Sequence, residues 1–384
     1  MLKTLGNIVG AAIVAGLLTT STYAQEEPIK LGIVLSTSGP VGFLGAAEEN
    51  ALDMLVHQVN EEGGINGRQI EMIAYNDNSD AAQANTFTQR LVNSDEVDLI
   101  IGGTISPIAM AMIPIVERGG VPYISVGGSL AIVDPVKKWV FKTPHTDRQV
   151  AQRMLMDLQD QGSQKIGVLF ENSGFGQSGL KELKAYAGEY GVEIVAEEQF
   201  GTSDTDTTPQ LTKIRDTAGV QAVVIFAGAG APPAIATKSY ANLGMKLPLY
   251  LPHSAVSPEY LALTAGAAEG ARMPTALFVV RDAVPEDSAQ KTIIEKFYTD
   301  YEERYGVVPP PFAANTYDAG LIAIDALKRT TSLDKAAIRD AIEETKDLVG
   351  LQGVFTMSPE DHHGLPFTSL KMFVVEDNQF KLLD

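Results

Sequence analysis

Two doubly wound parallel α/β lobes, joined by a hinge of three chain crossovers, are predicted for this sequence. Three observations lead there. Short β-branched runs alternate with helical patterns from Pro28 onward, the rhythm restarts after His145, and it changes again after about Leu277. With 384 residues the chain is long enough for two such cores.

The first strand is Lys30–Leu35 (KLGIVL), followed by a helix from about Gly45 to Glu62 with Ala51, Leu52, Leu55, Val56 and Val59 on one face. Gly63-Gly64 ends it, glycine being the residue that adopts the left-handed terminator. Strands follow at Gln69–Tyr75, Asp98–Ile101 and Pro122–Ser125, with helices at Ala81–Asn93 and Pro107–Arg118. The second set opens with a helix at Gln149–Gln161 and a strand at Lys165–Phe170 (KIGVLF). Helices at Gly179–Tyr190, Pro209–Thr217 and Pro232–Ala241 then alternate with strands at Glu193–Gln199, Ala222–Phe226 and Leu247–Leu251. Beyond Leu277 come helices at Ser288–Tyr305, Ala314–Arg329 and Asp334–Thr345, then strands at Gly353–Met357 and Leu370–Val375. Such a tail suits a chain that returns to the first lobe and ends on the second. The expected lobes are 25–145 with 278–357, and 146–277 with 358–384, with crossovers near 145, 277 and 357.

Residues 1–24 have the layout of a secretory signal peptide: a basic start at Lys3, an apolar run of 11 residues from Ile8 to Leu18, and small residues at Thr22 and Ala24. Cleavage is expected after Ala24, releasing a soluble, exported protein. The apolar run falls short of the ~20 residues that span a bilayer. The formal net charge is −19, one unit more negative once Lys3 is removed. Such a surface repels phosphate backbones and anionic lipid heads, so neither nucleic acid nor a membrane surface is an expected partner. The absence of cysteine excludes disulfides, thiolate zinc sites, cysteine nucleophiles and a lipid-anchored N-terminus.

In open α/β sheets the ligand crevice lies beyond the carboxyl ends of the strands. The loops there are Ser36–Leu44, Gly102–Ser106 and Val126–Leu130 in the first half, and Glu171–Ser178, Ala227–Ala231 and Pro252–Ser257 in the second. Ser106-Pro107 reads as a helix start with serine as cap and proline at the first position, aiming free N–H groups where an anion is favoured. Ser129 can add a hydroxyl and an N–H. The bland alternative is that Ser106 only caps its helix and Ser129 only turns a loop.

Gly174-Phe-Gly176-Gln-Ser-Gly179 matches the dinucleotide fingerprint GxGxxG. Three residues separate it from the preceding strand, however, where that motif needs a tight turn, so a ligand loop with Phe175 as a packing face is the preferred reading. The five histidines, His57, His145, His253, His362 and His363, show no metal-ligand spacing. His362-His363 reads as a solvated turn, and His253 lies at the crevice edge. Asp204 and Asp206 read as loop and cap chemistry. No catalytic constellation, metal or cofactor is expected.

Together, Ile33–Pro40 (IVLSTSGP) with Gly45, Asn60–Gly67 (NEEGGING), Ile100–Gly103, Val121–Ser125, Phe175-Gly176 and Tyr317-Asp318-Ala319 resemble type I periplasmic binding proteins of ABC transporters, in the leucine/isoleucine/valine-binding branch. The resemblance implies a periplasmic protein of two lobes that close on a small carboxylate-bearing ligand and dock onto permease subunits in the inner membrane; a monomer is expected. By residue-for-residue matching it implies Leu44, Ser106, Gly127 and Ser129 on the first lobe, and Phe175, Ala229 and His253 on the second. Ser106, Gly127 and Ser129 match carboxylate-holding positions, and Phe175 matches an aromatic that covers the ligand. His253 departs from a glutamate that pairs with the ligand's ammonium, and Glu171 is a possible substitute. Ala229 replaces a bulkier aromatic. An α-amino acid is therefore one expectation, and a keto acid or aromatic acid another. A ligand-sensing domain for a membrane receptor and a secreted dehydrogenase built on 174–179 stand as competing readings.

Overall fold

A computed structural model describes residues 27–330 and 332–383. The expected signal peptide lies outside the described residues. In chain order the first layer is β1 (Ile29–Leu35), α1 (Gly42–Glu61), β2 (Ile70–Asn76), α2 (Ala81–Asn93), β3 (Leu99–Gly102), α3 (Ser106–Gly119), β4 (Tyr123–Ser125) and β5 (Val140–Lys142). The second runs α4 (Asp147–Asp160), β6 (Lys165–Glu171), α5 (Gly174–Tyr186), β7 (Glu193–Phe200), α6 (Thr208–Asp216), β8 (Ala222–Phe226), α7 (Ala231–Asn242), β9 (Leu249–Tyr250), α8 (Pro258–Thr264) and β10 (Arg272–Ala276). Helices α9 (Ala289–Tyr305), α10 (Ala313–Arg329) and α11 (Lys335–Glu343) follow. The strands β11 (Leu348–Val349), β12 (Val354–Phe355), β13 (Leu370–Glu376) and β14 (Gln379–Leu382) end the chain.

The first sheet is wholly parallel in the order β2-β1-β3-β4-β5. The register aligns Ile33, Ile101, Ile124 and Phe141 in a row across it. The two-residue period of a strand sends that row to one face, into a core shared with α1, α9 and α10. Val34, Ile100, Tyr123 and Val140 face the other way, onto α2 and α3. Residues 31–35 of β1 and 99–101 of β3 therefore read as unbroken apolar runs, as strands covered on both faces do, whereas the edge strand β2 exposes Glu71 and Asn76.

The second sheet has the order β14-β13-β10-β9-β8-β6-β7. From β6 to β10 it repeats the first sheet's arrangement, and β13 and β14 add an antiparallel edge. Both halves thus change direction between their first and third strands, at β1/β3 and at β6/β8. Loops beyond those points flank the crevice.

Three expectations shift. Gly353–Met357 contributes only β12, which pairs with β11 as a separate ribbon. Leu365 still packs in the first core, and His362 Nδ1 lies 2.8 Å from the Val140 carbonyl, so the third passage falls at 366–369 and not near 357. The helix expected from Gly179 begins at Gly174, because Ser173 caps it by accepting from the Gly176 N–H at 3.2 Å.

Candidate functional site

A cavity of about 560 Å³ lies where the loops of the two sheets meet. The first layer supplies Pro40, Val41, Leu44, Thr104, Ser106 and Gly128, and the second supplies Glu171, Phe175, Gly228, Ala229, His253 and Val256. His145, Phe278, Phe312 and Asn315 close it from the connecting segments and the start of α10. Of the residues singled out from sequence, Leu44, Ser106, Glu171, Phe175, Ala229 and His253 line this space.

Gly127 and Ser129 do not line it; Gly128 between them does. The Gly127 N–H donates to Ser125 Oγ at 3.2 Å, and the Ser129 N–H donates to Ser106 Oγ at 3.0 Å. Ser129 Oγ accepts from the Ala131 N–H, capping the following turn. At Gly128 the two lobes approach each other closely: a Cβ on it would stand 3.1 Å from Phe175 Cε2 and 3.5 Å from His253 Nε2.

Ser106 is also not the cap of α3. Ile105 takes the extended cap conformation and Ser106 is the first helical residue. Its hydroxyl faces the neighbouring loop instead of its own helix. The first turn still presents the Ser106 and Ile108 N–H groups, Pro107 having none, and this positive helix end opens at the cavity.

Glu171 is buried at the β6/β8 turning point. Its Oε2 accepts from Ser173 Oγ at 2.7 Å and from the Gly228 N–H at 2.9 Å, which fixes one oxygen and leaves the other for a cavity occupant. Phe175 packs against Phe226, with ring centroids 5.2 Å apart, and edge-on to His253 at 5.8 Å.

Sequence reasoning missed a basic cluster behind the Gly128 corner. Lys142, fully buried at the end of β5, donates to the carbonyls of Gly128, at 3.4 Å, and Pro144. His145 Nε2 lies 2.8 Å from Ser369 Oγ, joining the first passage between layers to the third. His362 and His363 are buried, not a solvated turn. His362 sits between the Val140 carbonyl and Glu343, at 2.9 Å, while His363 Nε2 has no partner. Burial pushes His253 down to about 3, Lys142 adding repulsion. Burial likewise holds His145 and His363 well below the usual imidazole range. These rings are uncharged at neutral pH.

Two of the three GxGxxG glycines, Gly176 and Gly179, have a packing role. A Cβ on Gly176 would lie 2.2 Å from the Glu171 carbonyl oxygen, and one on Gly179 2.0 Å from Phe226 Cε1. Close approach of α5 to its sheet requires both. Among the described residues, no group of three His, Asp or Glu is placed to hold a metal, and no helix is long and apolar enough to cross a membrane.

The family model described as "Periplasmic binding protein" matches residues 28–379. The chain belongs to this family. Periplasmic binding proteins hold solutes and do no chemistry on them, so this binding protein is not an enzyme. It is 26% identical over 355 residues to the Leu/Ile/Val-binding protein homolog 7 of Brucella abortus, covering 86% of this chain and 84% of that one. It is 24% identical over 342 residues to the leucine-, isoleucine-, valine-, threonine-, and alanine-binding protein of Pseudomonas aeruginosa, covering 88% and 87%. An extracellular ligand-binding receptor from Rhodopseudomonas palustris superposes with a TM-score of 0.86 at 28% identity, over 93% of this chain and 99% of that one.

Proposed function

We propose that this binding protein captures a small carboxylate-bearing solute, a branched-chain or other hydrophobic amino acid, in the interlobe cleft and delivers it to the permease subunits of an ABC importer. One observation carries the reading: the α3 N-terminus, the Ser106 hydroxyl and the Gly128 corner converge on a cavity lined mainly by apolar side chains. The carboxylate sits at that corner, and Glu171 offers its second oxygen to an ammonium group. Leu44, Phe175, Phe278 and Phe312 enclose the apolar body. Gly127 and Ser129 act one step back, by shaping the corner. Residues 1–24 direct export to the periplasm, where the mature chain works as a monomer.

The ligand contacts both lobes only when they are shut, so binding favours closure, with the three interlobe passages as hinge. The names of the Brucella and Pseudomonas relatives support an amino-acid cargo.

A second reading, an aromatic or 2-oxo acid, is favoured by two features. His253 is uncharged and offers an ammonium only weak pairing. The cavity also falls in the ~300–1,000 Å³ class that houses drug-sized ligands, leaving room beyond a leucine. A thermal-shift screen of the mature protein against amino acids, 2-oxo acids and aromatic acids separates the two, because a tight ligand raises Tm by mass action. A shift with none of them contradicts both.

A further inference from the structure

His253 has no hydrogen-bond partner on either ring nitrogen among the described residues. Its Nδ1 is buried and unpaired, and its Nε2 points at the Gly128 corner, where the proposed carboxylate sits. An imidazole left unpaired beside an anion corner is incomplete without an occupant. Leaving such groups unsatisfied costs free energy that a ligand contact recovers.

The neighbours on each packed element set the electrostatics. From β5 and the first passage come Lys142 and His145, and from the loop before β13 comes His363, edge-on to His145 with centroids 6.4 Å apart. Acidic groups stand further back. Asp147 and Asp361 act on Lys142, and Glu182 acts on Asp147 while paired with Arg148 at 2.8 Å. Glu171 faces the cavity from β6 and is held by Ser173 and Gly228. Burial drives the three imidazoles to their neutral forms and pushes Lys142 downward as well.

An anion within ~4–6 Å of a base favours the base's charged form. Binding and protonation at this corner are then linked. Resting on the capture reading above, we propose that carboxylate binding is coupled to proton uptake from solvent by the Lys142–His145–His253 cluster, His253 being the principal acceptor. The proton goes to the ring nitrogen of His253 that lacks one, and the imidazolium donates an N–H to the carboxylate. Uptake on binding means that affinity falls as pH rises.

Calorimetric titration of the mature protein tests this, with L-leucine, 4-methyl-2-oxopentanoate, L-phenylalanine and benzoate as probes in MES, piperazine and Bis-Tris at pH 5.5, where Lys142, pushed down to about 7, already carries its proton. The slope of observed heat against buffer ionisation heat counts protons. The expected uptake is on the order of half a proton per ligand, with affinity roughly two- to fourfold weaker at pH 7.5 than at pH 5.5. His253→Gln lowers the slope by about half or more, whereas His57→Gln, at an exposed site 3.2 Å from Glu61, leaves it unchanged. Imidazole NMR of the wild type reads the same event without a variant, as the His253 nitrogens shift from neutral to protonated on adding ligand. A zero slope, proton release, or a His253 signal that stays neutral with a bound ligand overturns the coupling. No heat from any probe contradicts the capture reading itself and removes the ground for this one.

Discussion

The Ser129 amide donates to the Ser106 hydroxyl at 3.0 Å, bridging the loop after β4 to the first turn of α3. This bond sets the corner before any ligand arrives, and the Ser106 hydroxyl retains its own proton to donate. Ser106→Ala therefore removes one charge-assisted bond to a bound carboxylate, ~1.5–3 kcal/mol, or roughly ten- to a hundredfold in affinity. Calorimetry with the tightest ligand checks it, and unchanged affinity contradicts the assignment.

Gly179 faces Phe226, which packs on Phe175 in the cavity wall. Gly179→Ala puts a methyl group into that contact and costs about 1–3 kcal/mol by overpacking. Urea unfolding reads the loss, and ligand affinity falls with it as Phe175 moves. Neither wild type nor variant binds NAD in a fluorescence titration; NAD binding by the wild type revives the dinucleotide reading.

Glu48 on α1 is fully buried, with the polar side chains of Thr104 and Asn315 beside its carboxyl group and no basic residue to pair with it among the described residues. Burial pushes it up to about 8 from 4.5. Between those values the unfolded chain has lost a proton that the folded chain keeps, so folding stability falls as pH rises through that window and levels off above 8. Glu48→Gln lacks this penalty. Its stability relative to wild type climbs between pH 5 and pH 8, by an amount on the order of a few kcal/mol. Parallel stability profiles for the two proteins show that Glu48 stays ionised.

Arg272 on β10 grips Asp157 on α4 through two bonds, Nε at 2.7 Å and Nη2 at 2.8 Å, while the Tyr250 hydroxyl donates to the same carboxylate at 2.7 Å. Arg272→Met leaves that carboxylate underpaired, at a cost of about 3–5 kcal/mol. Arg272→Lys, which cannot make the paired contact, falls between. A Met variant as stable as wild type in urea unfolding shows the pair to be dispensable.

The α/β alternation was legible because each buried strand is an apolar run bounded by turn residues. What escaped has physical causes. β5 has three residues, too few to show a period. β10 contains Pro274, which argues against a strand by its missing N–H. It is tolerated because β9 pairs with β10 only at Arg272. The Ser106–Leu44–Phe175–His253 part of the site followed from strand ends and family resemblance. The Lys142, His145 and His363 cluster did not, since its members come from separated segments whose burial only the folded chain creates. One residue of register separated Gly127 and Ser129 from Gly128, an offset below what loop reading resolves.

The most direct test is a crystal structure of the mature protein with the ligand that raises its Tm most. The expected result places the carboxylate between the lobes, within hydrogen-bond distance of Ser106 Oγ and the first-turn N–H groups of α3, with Phe175 over the apolar body. A carboxylate bound away from that corner, or a ligand held by one lobe alone, contradicts it.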